Sequence, residues 1–162
     1  MRDSLVIGVG NPDRGDDGAG IAVVRRLRQR DPAGVAVVEA EGEASALIEA
    51  WSGKGRVVVV DAASSGQRPG NVRRFDARRE SLPARHVHAS THAWGVAEAV
   101  EMARALGSLP ESLVVYGIEG RSFGPGEGLS PGVQAAIDEV VERILTEVLS
   151  SDGALLDERV RG

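Results

Sequence analysis

The sequence predicts a single α/β domain with a mostly parallel five-stranded sheet, helices on both faces of the sheet and one antiparallel edge strand. Segments of strand character alternate with segments of helical character, an order that is typical of parallel sheets. Residues 57–60 are consecutive valines, and a strand that is apolar on both faces belongs to a sheet covered on both sides. Residues 71–76 are more polar and suit an edge strand.

Each predicted element follows from the spacing of apolar residues. Short apolar runs predict strands at residues 5–10, 35–38, 57–61 and 113–118, beside the polar strand at residues 71–76. One-sided apolar spacing predicts helices at about residues 17–30, at 44–51, from His92 to about Leu106, and from about Pro131 to Leu149. We therefore expect residues 1–150 to form the domain and residues 151–162 to form a flexible tail.

Composition and charge exclude several classes of function. The chain has 162 residues, a net charge of −5 and 42% apolar residues, which is enough for one core. The acidic balance argues against nucleic-acid binding, which requires clustered Lys and Arg. The absence of cysteine excludes disulfides, thiolate nucleophiles and cysteine-ligated metal sites. No apolar run is long enough for a signal peptide or a membrane span, so we expect a cytoplasmic protein that binds no membrane.

Acidic residues follow two strands that should be neighbours. Asp16 and Asp17 lie in the loop after the first strand, and Asp61 ends the third strand in sequence order. In an open parallel sheet the ligand crevice lies at the carboxyl ends of the strands, where the strand order reverses. In a flavodoxin-like order this point lies between the first and third strands. We therefore expect the three carboxylates to meet at that crevice.

His92 is the candidate third member of a metal site. It follows Ser90 and Thr91, either of which is a suitable helix cap. A helix N-terminus disfavours the protonated imidazole, and a neutral imidazole can ligate a metal. Two carboxylates and one imidazole suit nickel, zinc or a similar divalent ion, with a coordination position left open.

Other interpretations of the same residues remain open at this point. Asp17 can simply favour a helix N-terminus, Asp61 can bind a loop, and His92 can pack or cap. His86 and His88 are two apart and are a less favoured metal pair. Gly8 and Gly10 resemble part of a dinucleotide-binding turn, but Asp13 replaces the third glycine. A flavodoxin-like domain that binds a nucleotide or a flavin is thus a further alternative.

Four motifs, in this order, resemble those of the nickel–iron hydrogenase maturation proteases. They are residues 8–20 (GVGNPDRGDDGAG), 59–62 (VVDA), 90–95 (STHAWG) and 128–131 (GLSP). The resemblance covers about residues 4 to 149 and implies a twisted, mostly parallel sheet. It implies that Asp17, Asp61 and His92 are the catalytic trio and ligate a metal. Asn11 and Asp16 would assist from the first loop.

The resemblance also implies a reaction and a partner. Such enzymes are endopeptidases that trim a C-terminal peptide from a hydrogenase large-subunit precursor after nickel insertion. The nickel would be carried by the substrate, with no tightly bound cofactor in the enzyme and a monomer as the default state. Residues 39–44 (EAEGEA) depart from the family's acidic-Gly-Gly-Thr pattern, which leaves the particular precursor open. The alternative is a non-proteolytic or differently specific relative that binds metal or ligands at the same crevice.

No separate protein nucleophile is evident in the sequence. The chain has no Gly-x-Ser-x-Gly motif and no His-Glu-x-x-His motif. Ser64, Ser65, Ser90 and Thr91 lie in loops, without a recognisable base and orienting group beside them. The metal is therefore expected either to polarise the scissile carbonyl or to activate a water molecule.

Overall fold

Five strands and four α-helices form along residues 4–83 and 92–149, which are the part of the chain that the computed structural model describes, and they alternate except that β4 directly follows β3. For residues 92–94 the description covers the backbone alone. The strands are β1 (Ser4–Val9), β2 (Val35–Ala40), β3 (Arg56–Ala63), β4 (Val72–Asp76) and β5 (Ser112–Glu119). The helices are α1 (Ala19–Arg30), α2 (Ala44–Trp51), α3 (His92–Ala105) and α4 (Pro131–Leu149). The predictions for His86, His88, the Ser90 or Thr91 cap and the 151–162 tail lie outside the described residues.

The sheet has the strand order β2-β1-β3-β5-β4. Strands β2, β1, β3 and β5 run parallel, and β4 pairs with β5 in the antiparallel direction at one edge. The predicted fold class is confirmed, including the polar edge strand. Strands β1 and β3 are direct neighbours, and β2 lies on the other side of β1, so the chain reverses its direction of travel across the sheet between them.

Each face of the sheet carries its own apolar core. Val58 and Val60 belong to the core beneath α1 and α4. Val57 and Val59 belong to the core beneath α2 and α3. Because successive side chains of a strand point to opposite faces, the valine run of β3 supplies both cores at once. This two-sided burial fixes β3 at the centre of the sheet and holds its carboxyl end in place.

Helix α1 begins two residues later than the sequence predicts. A turn of 3-10 helix covers Gly15–Gly18 and precedes Ala19, the first residue of α1. Gly15 has a φ of +57°, a left-handed conformation in which an L side chain is strained. Asp16 and Asp17 are therefore held in a short, tight turn above the sheet. No helix in the described residues is both long and apolar enough to span a membrane.

Candidate functional site

Glycines allow the start of α1 to approach the carboxyl ends of β1 and β3. A Cβ atom on Gly20 would lie 2.3 Å from the carbonyl oxygen of Val60 and 2.6 Å from that of Val9. A Cβ atom on Gly10 would lie 1.9 Å from the carbonyl oxygen of Asp17. These distances are shorter than any real contact, so both positions require glycine. The close approach brings the 3-10 turn and Asp17 to the end of β3.

Asp17 and Asp61 are the two sequence-predicted carboxylates that the structure brings together. Asp17 is 1% exposed, and its Oδ2 accepts a hydrogen bond of 3.0 Å from the backbone N–H of Asn11. Asp61 is 5% exposed, and its Oδ1 accepts one of 2.8 Å from the N–H of Ala62. Both side chains sit at the carboxyl edge, where the strand order predicted the crevice.

The electrostatics of Asp61 reflect both its burial and its neighbour. Burial raises the pKa of the Asp61 carboxyl well above its ordinary value, and the negative charge of Asp17 raises that pKa further. The hydrogen bond from Ala62 acts in the opposite direction and is the smaller effect. Two buried carboxylates are unfavourable when both are charged, and a cation between them would relieve the repulsion. A phosphate at this position would be repelled, which argues against the nucleotide interpretation.

Asp16 does not join the other two carboxylates, so the expectation that all three meet was wrong in this respect. Its carboxylate accepts hydrogen bonds from Arg121, Ser122 and Ser130, in the loop between β5 and α4. Adjacent residues of a tight turn point in different directions, so Asp16 and Asp17 face different partners. Sequence reasoning missed this role, because its partners lie more than 100 residues away in the chain.

His92 is the first residue of α3, and its side chain lies outside the described residues. The backbone of the first turn of α3 is fixed by a close contact. A Cβ atom on Gly95 would lie 1.4 Å from the carbonyl oxygen of Gly42, which follows β2. The start of α3 therefore lies against a loop at the carboxyl edge of the sheet. Among the residues whose side chains are described, no group of three His, Cys, Asp or Glu forms a metal site.

The segment that departs from the family pattern begins with Glu39 and Ala40, the last two residues of β2. The carbonyl of Ala40 accepts a hydrogen bond of 3.0 Å from the N–H of Gly10, so the end of β2 is tied to the residue after β1. Glu39 forms ion pairs with Arg25, at 3.0 Å, and with Arg28, at 3.1 Å. Its charge is thus balanced by α1. Glu41 is exposed and lines a groove together with Asp13.

A mainly apolar pocket opens beside Asp61. Its lining includes Phe75 from β4, Val115 from β5, Val96 from α3 and Leu82 from the segment after β4. No local sequence pattern indicates this pocket, because its walls, which include β3 itself, come from five separate segments. An apolar wall beside a buried carboxylate lowers the local dielectric constant and strengthens any interaction between Asp61 and a cation.

Fold and site together define a doubly wound α/β protein with a pair of buried carboxylates at its topological switch point. Residues 21–147 match the family described as hydrogenase maturation protease (HycI). The chain belongs to the hydrogenase maturation protease family and is an endopeptidase.

Individual relatives are similar to this chain over nearly its full length. The hydrogenase 2 maturation protease of Escherichia coli is 29% identical over 151 residues, which cover 91% of each chain. The solved structure of the hydrogenase maturating endopeptidase HybD from E. coli has a TM-score of 0.76 and 26% identity, over 93% of this chain and 94% of that one. The solved structure of a [NiFe] hydrogenase maturation protease HybD from Thermococcus kodakarensis has a TM-score of 0.69 and 26% sequence identity, over 93% of this chain and 100% of that one.

Proposed function

We propose that this endopeptidase removes a C-terminal peptide from the large-subunit precursor of a nickel-containing hydrogenase. We further propose that it recognises nickel already bound in that precursor through Asp17, Asp61 and His92. The observation that supports this most directly is the buried pair of Asp17 and Asp61 at the carboxyl edge. The names of the relatives, which are hydrogenase maturation proteases, support the substrate class.

The carboxylate pair suits a metal that arrives with the substrate. Because the charge of Asp17 raises the pKa of Asp61, the pair is less stable when both groups are ionised. A divalent ion would compensate both charges, so the site gains favourable electrostatics when the ion enters. The crevice therefore discriminates between a precursor that carries the ion and one that lacks it.

The chain's residues would hold the substrate metal and thereby place the scissile bond. Asp17 and Asp61 would supply oxygen ligands, and His92 a nitrogen ligand, which is a donor set that suits nickel. A metal held next to the scissile carbonyl stabilises negative charge that develops on its oxygen. The apolar pocket beside Asp61 would accommodate an apolar side chain of the substrate near this bond.

The experiment compares precursor with inserted nickel and precursor without it. Each is incubated with the metal-free enzyme, and the mass of the large subunit is measured. We expect loss of a C-terminal peptide from the nickel-loaded form alone. Cleavage of both forms at similar rates would contradict nickel recognition. Binding of the loaded precursor without any change of mass would instead identify a non-proteolytic relative.

A further inference from the structure

Asp16 is a fully buried carboxylate that binds one distant loop through four hydrogen bonds. Its exposure is 0%. Its Oδ2 accepts from the backbone N–H of Arg121 at 2.7 Å, from that of Ser122 at 3.2 Å and from the Ser130 hydroxyl at 2.7 Å. Its Oδ1 accepts from the backbone N–H of Ser130 at 2.7 Å. All these donors lie in the loop between β5 and α4.

Backbone hydrogen bonds reinforce the same connection. The N–H of Asp16 donates to the carbonyl of Ser122 at 2.8 Å, and that of Gly15 donates to the carbonyl of Glu127 at 3.1 Å. In the reverse direction, the N–H of Gly126 donates to the carbonyl of Asp13 at 2.8 Å. The turn that carries Asp16 and Asp17 is therefore fastened to the β5–α4 loop through Asp13, Gly15 and Asp16.

This connection is costly to build with a carboxylate. A buried charge is unfavourable unless it is paired or extensively hydrogen-bonded. Among the described side chains, Asp16 has no ion-pair partner, so its hydrogen bonds must compensate for the lost hydration. Three of the four donors are backbone amides, which cannot turn away from the carboxylate. Because these donors are rigid, they fix the Asp16 carboxylate and thereby restrict the position of the residue that follows.

We propose that Asp16 is a positioning residue that holds Asp17 in the orientation needed to bind the substrate's nickel. Asp16 anchors the turn to the β5–α4 loop, and Asp17 is the next residue of the same turn. Groups that orient a metal ligand in this way usually change metal affinity or activity by about 10- to 100-fold when they are replaced. This positioning role rests on the proposed function, because it requires that Asp17 bind nickel.

The test uses Asp16→Asn, which keeps the shape of the side chain but places an amide among N–H donors. Affinity for free Ni²⁺ is measured by calorimetry, and amide exchange is measured for peptides that cover residues 14–18 and 121–130. We expect a loss of Ni²⁺ affinity of about 10- to 100-fold and faster exchange in both peptides. Ser130→Ala removes one of the four donors, so it should change both measurements in the same direction by a smaller amount.

Glu147→Gln provides the matched control. Glu147 is a carboxylate on α4 that accepts hydrogen bonds from the Tyr116 hydroxyl at 2.6 Å and from Nε of Arg74 at 2.7 Å, away from the crevice. This variant should lose stability but keep the wild-type affinity for Ni²⁺. If the role of Asp16 were merely structural, Asp16→Asn would behave like Glu147→Gln, with lower stability and wild-type affinity for Ni²⁺.

The outcomes separate this proposal from the proposed function. Ni²⁺ binding by Asp16→Asn within about twofold of wild type would overturn the positioning role, because replaced orienting groups have larger effects. If Asp16→Asn does not fold, wild-type affinity in Ser130→Ala would overturn it instead. If wild-type protein neither binds Ni²⁺ nor processes the loaded precursor, the proposed function fails. In that case the amide exchange data still test whether Asp16 anchors the turn. Exchange of residues 14–18 at the wild-type rate in Asp16→Asn would overturn the anchoring, and faster exchange would support it.

Discussion

Asp17 and Asp61 lie close enough for the negative charge of Asp17 to raise the pKa of the Asp61 carboxyl. Both side chains are buried: Asp61 lies near the carboxyl end of β3, and Asp17 lies in the 3-10 turn that follows the neighbouring parallel strand β1. The two carboxyls therefore interact unfavourably when both are ionised. The consequences of this interaction for stability and for metal binding can be measured separately.

Asp61→Asn should stabilise the protein near neutral pH and abolish processing. Because the pKa of Asp61 is raised in the folded state, stability falls as the pH rises from the ordinary pKa of an aspartate towards that raised pKa, and the full cost is present above it. The neutral amide removes this cost and still accepts from Ala62. The gain in melting temperature should be largest at pH 7 and should vanish as the pH falls below about 4, where Asp61 is protonated in both states. Thermal melts across this pH range, with the mass assay, test both parts.

The outcome that contradicts this prediction is an Asp61→Asn variant that processes nickel-loaded precursor at the wild-type rate. A lower melting temperature at pH 7 would show instead that the charge of Asp61 stabilises the fold.

The purified protein should bind one divalent ion weakly through Asp17, Asp61 and His92. Ligation needs an ionised Asp61 and a neutral His92, so binding should release protons and weaken as pH falls through roughly 6 to 5. The raised pKa of Asp61 acts in the same direction, because its proton is held to higher pH than usual. Calorimetry with Ni²⁺ or Cd²⁺, in buffers of different ionisation enthalpy, measures both affinity and proton release. Equal affinities for wild type and His92→Ala would exclude His92 as a ligand.

Zinc should not convert this enzyme into a general protease. The sequence has no His-Glu-x-x-His motif, and the proposed site obtains its metal from the substrate. Positioning by nickel and stabilisation of charge by nickel each lower a barrier by several kcal/mol, so without both cleavage should be undetectable. The assay incubates zinc-treated enzyme with nickel-free precursor and with an unfolded protein. Cleavage of either substrate would identify an ordinary metalloprotease.

Gly20→Ala should unfold or strongly destabilise the protein, whereas Gly128→Ala should be nearly neutral. A Cβ atom on Gly20 meets backbone oxygens of Val60 and Val9, while one on Gly128 has no neighbour within 4 Å. Backbone atoms in two parallel strands cannot move aside, so we expect the free energy of unfolding of Gly20→Ala to fall by at least about 1–3 kcal/mol. Denaturant titration of both variants measures this loss of stability. Similar midpoints for the two would show that α1 can withdraw from the sheet.

The parts of the fold that could be predicted are those governed by local patterns. The valine run of β3 indicated a strand buried on both faces, and its side chains do divide between the two cores. The polarity of residues 71–76 indicated the edge strand β4. Strand order then placed the loop of Asp17 beside the end of β3, because chain reversal at a parallel sheet fixes which carboxyl ends are neighbours.

The roles of the adjacent residues Asp16 and Asp17 could not be separated from sequence. Each is an aspartate in a polar loop, and the direction of each side chain depends on backbone angles within one tight turn. The partners of Asp16 belong to the loop that ends at Ser130, and no local spacing connects the two segments. The apolar pocket beside Asp61 was missed for a related reason, since tertiary packing alone assembles its walls.

The parallel arrangement of β1 and β3 has a consequence for how proteolytic competence arises during folding. These strands are separated in the chain by α1, β2 and α2, so their pairing closes a long loop and belongs to the slow, non-local class of contacts. Asp17 and Asp61 can meet after that pairing has formed and not before. A nascent or partly folded chain would therefore hold both carboxylates apart, and the site exists in the folded domain alone.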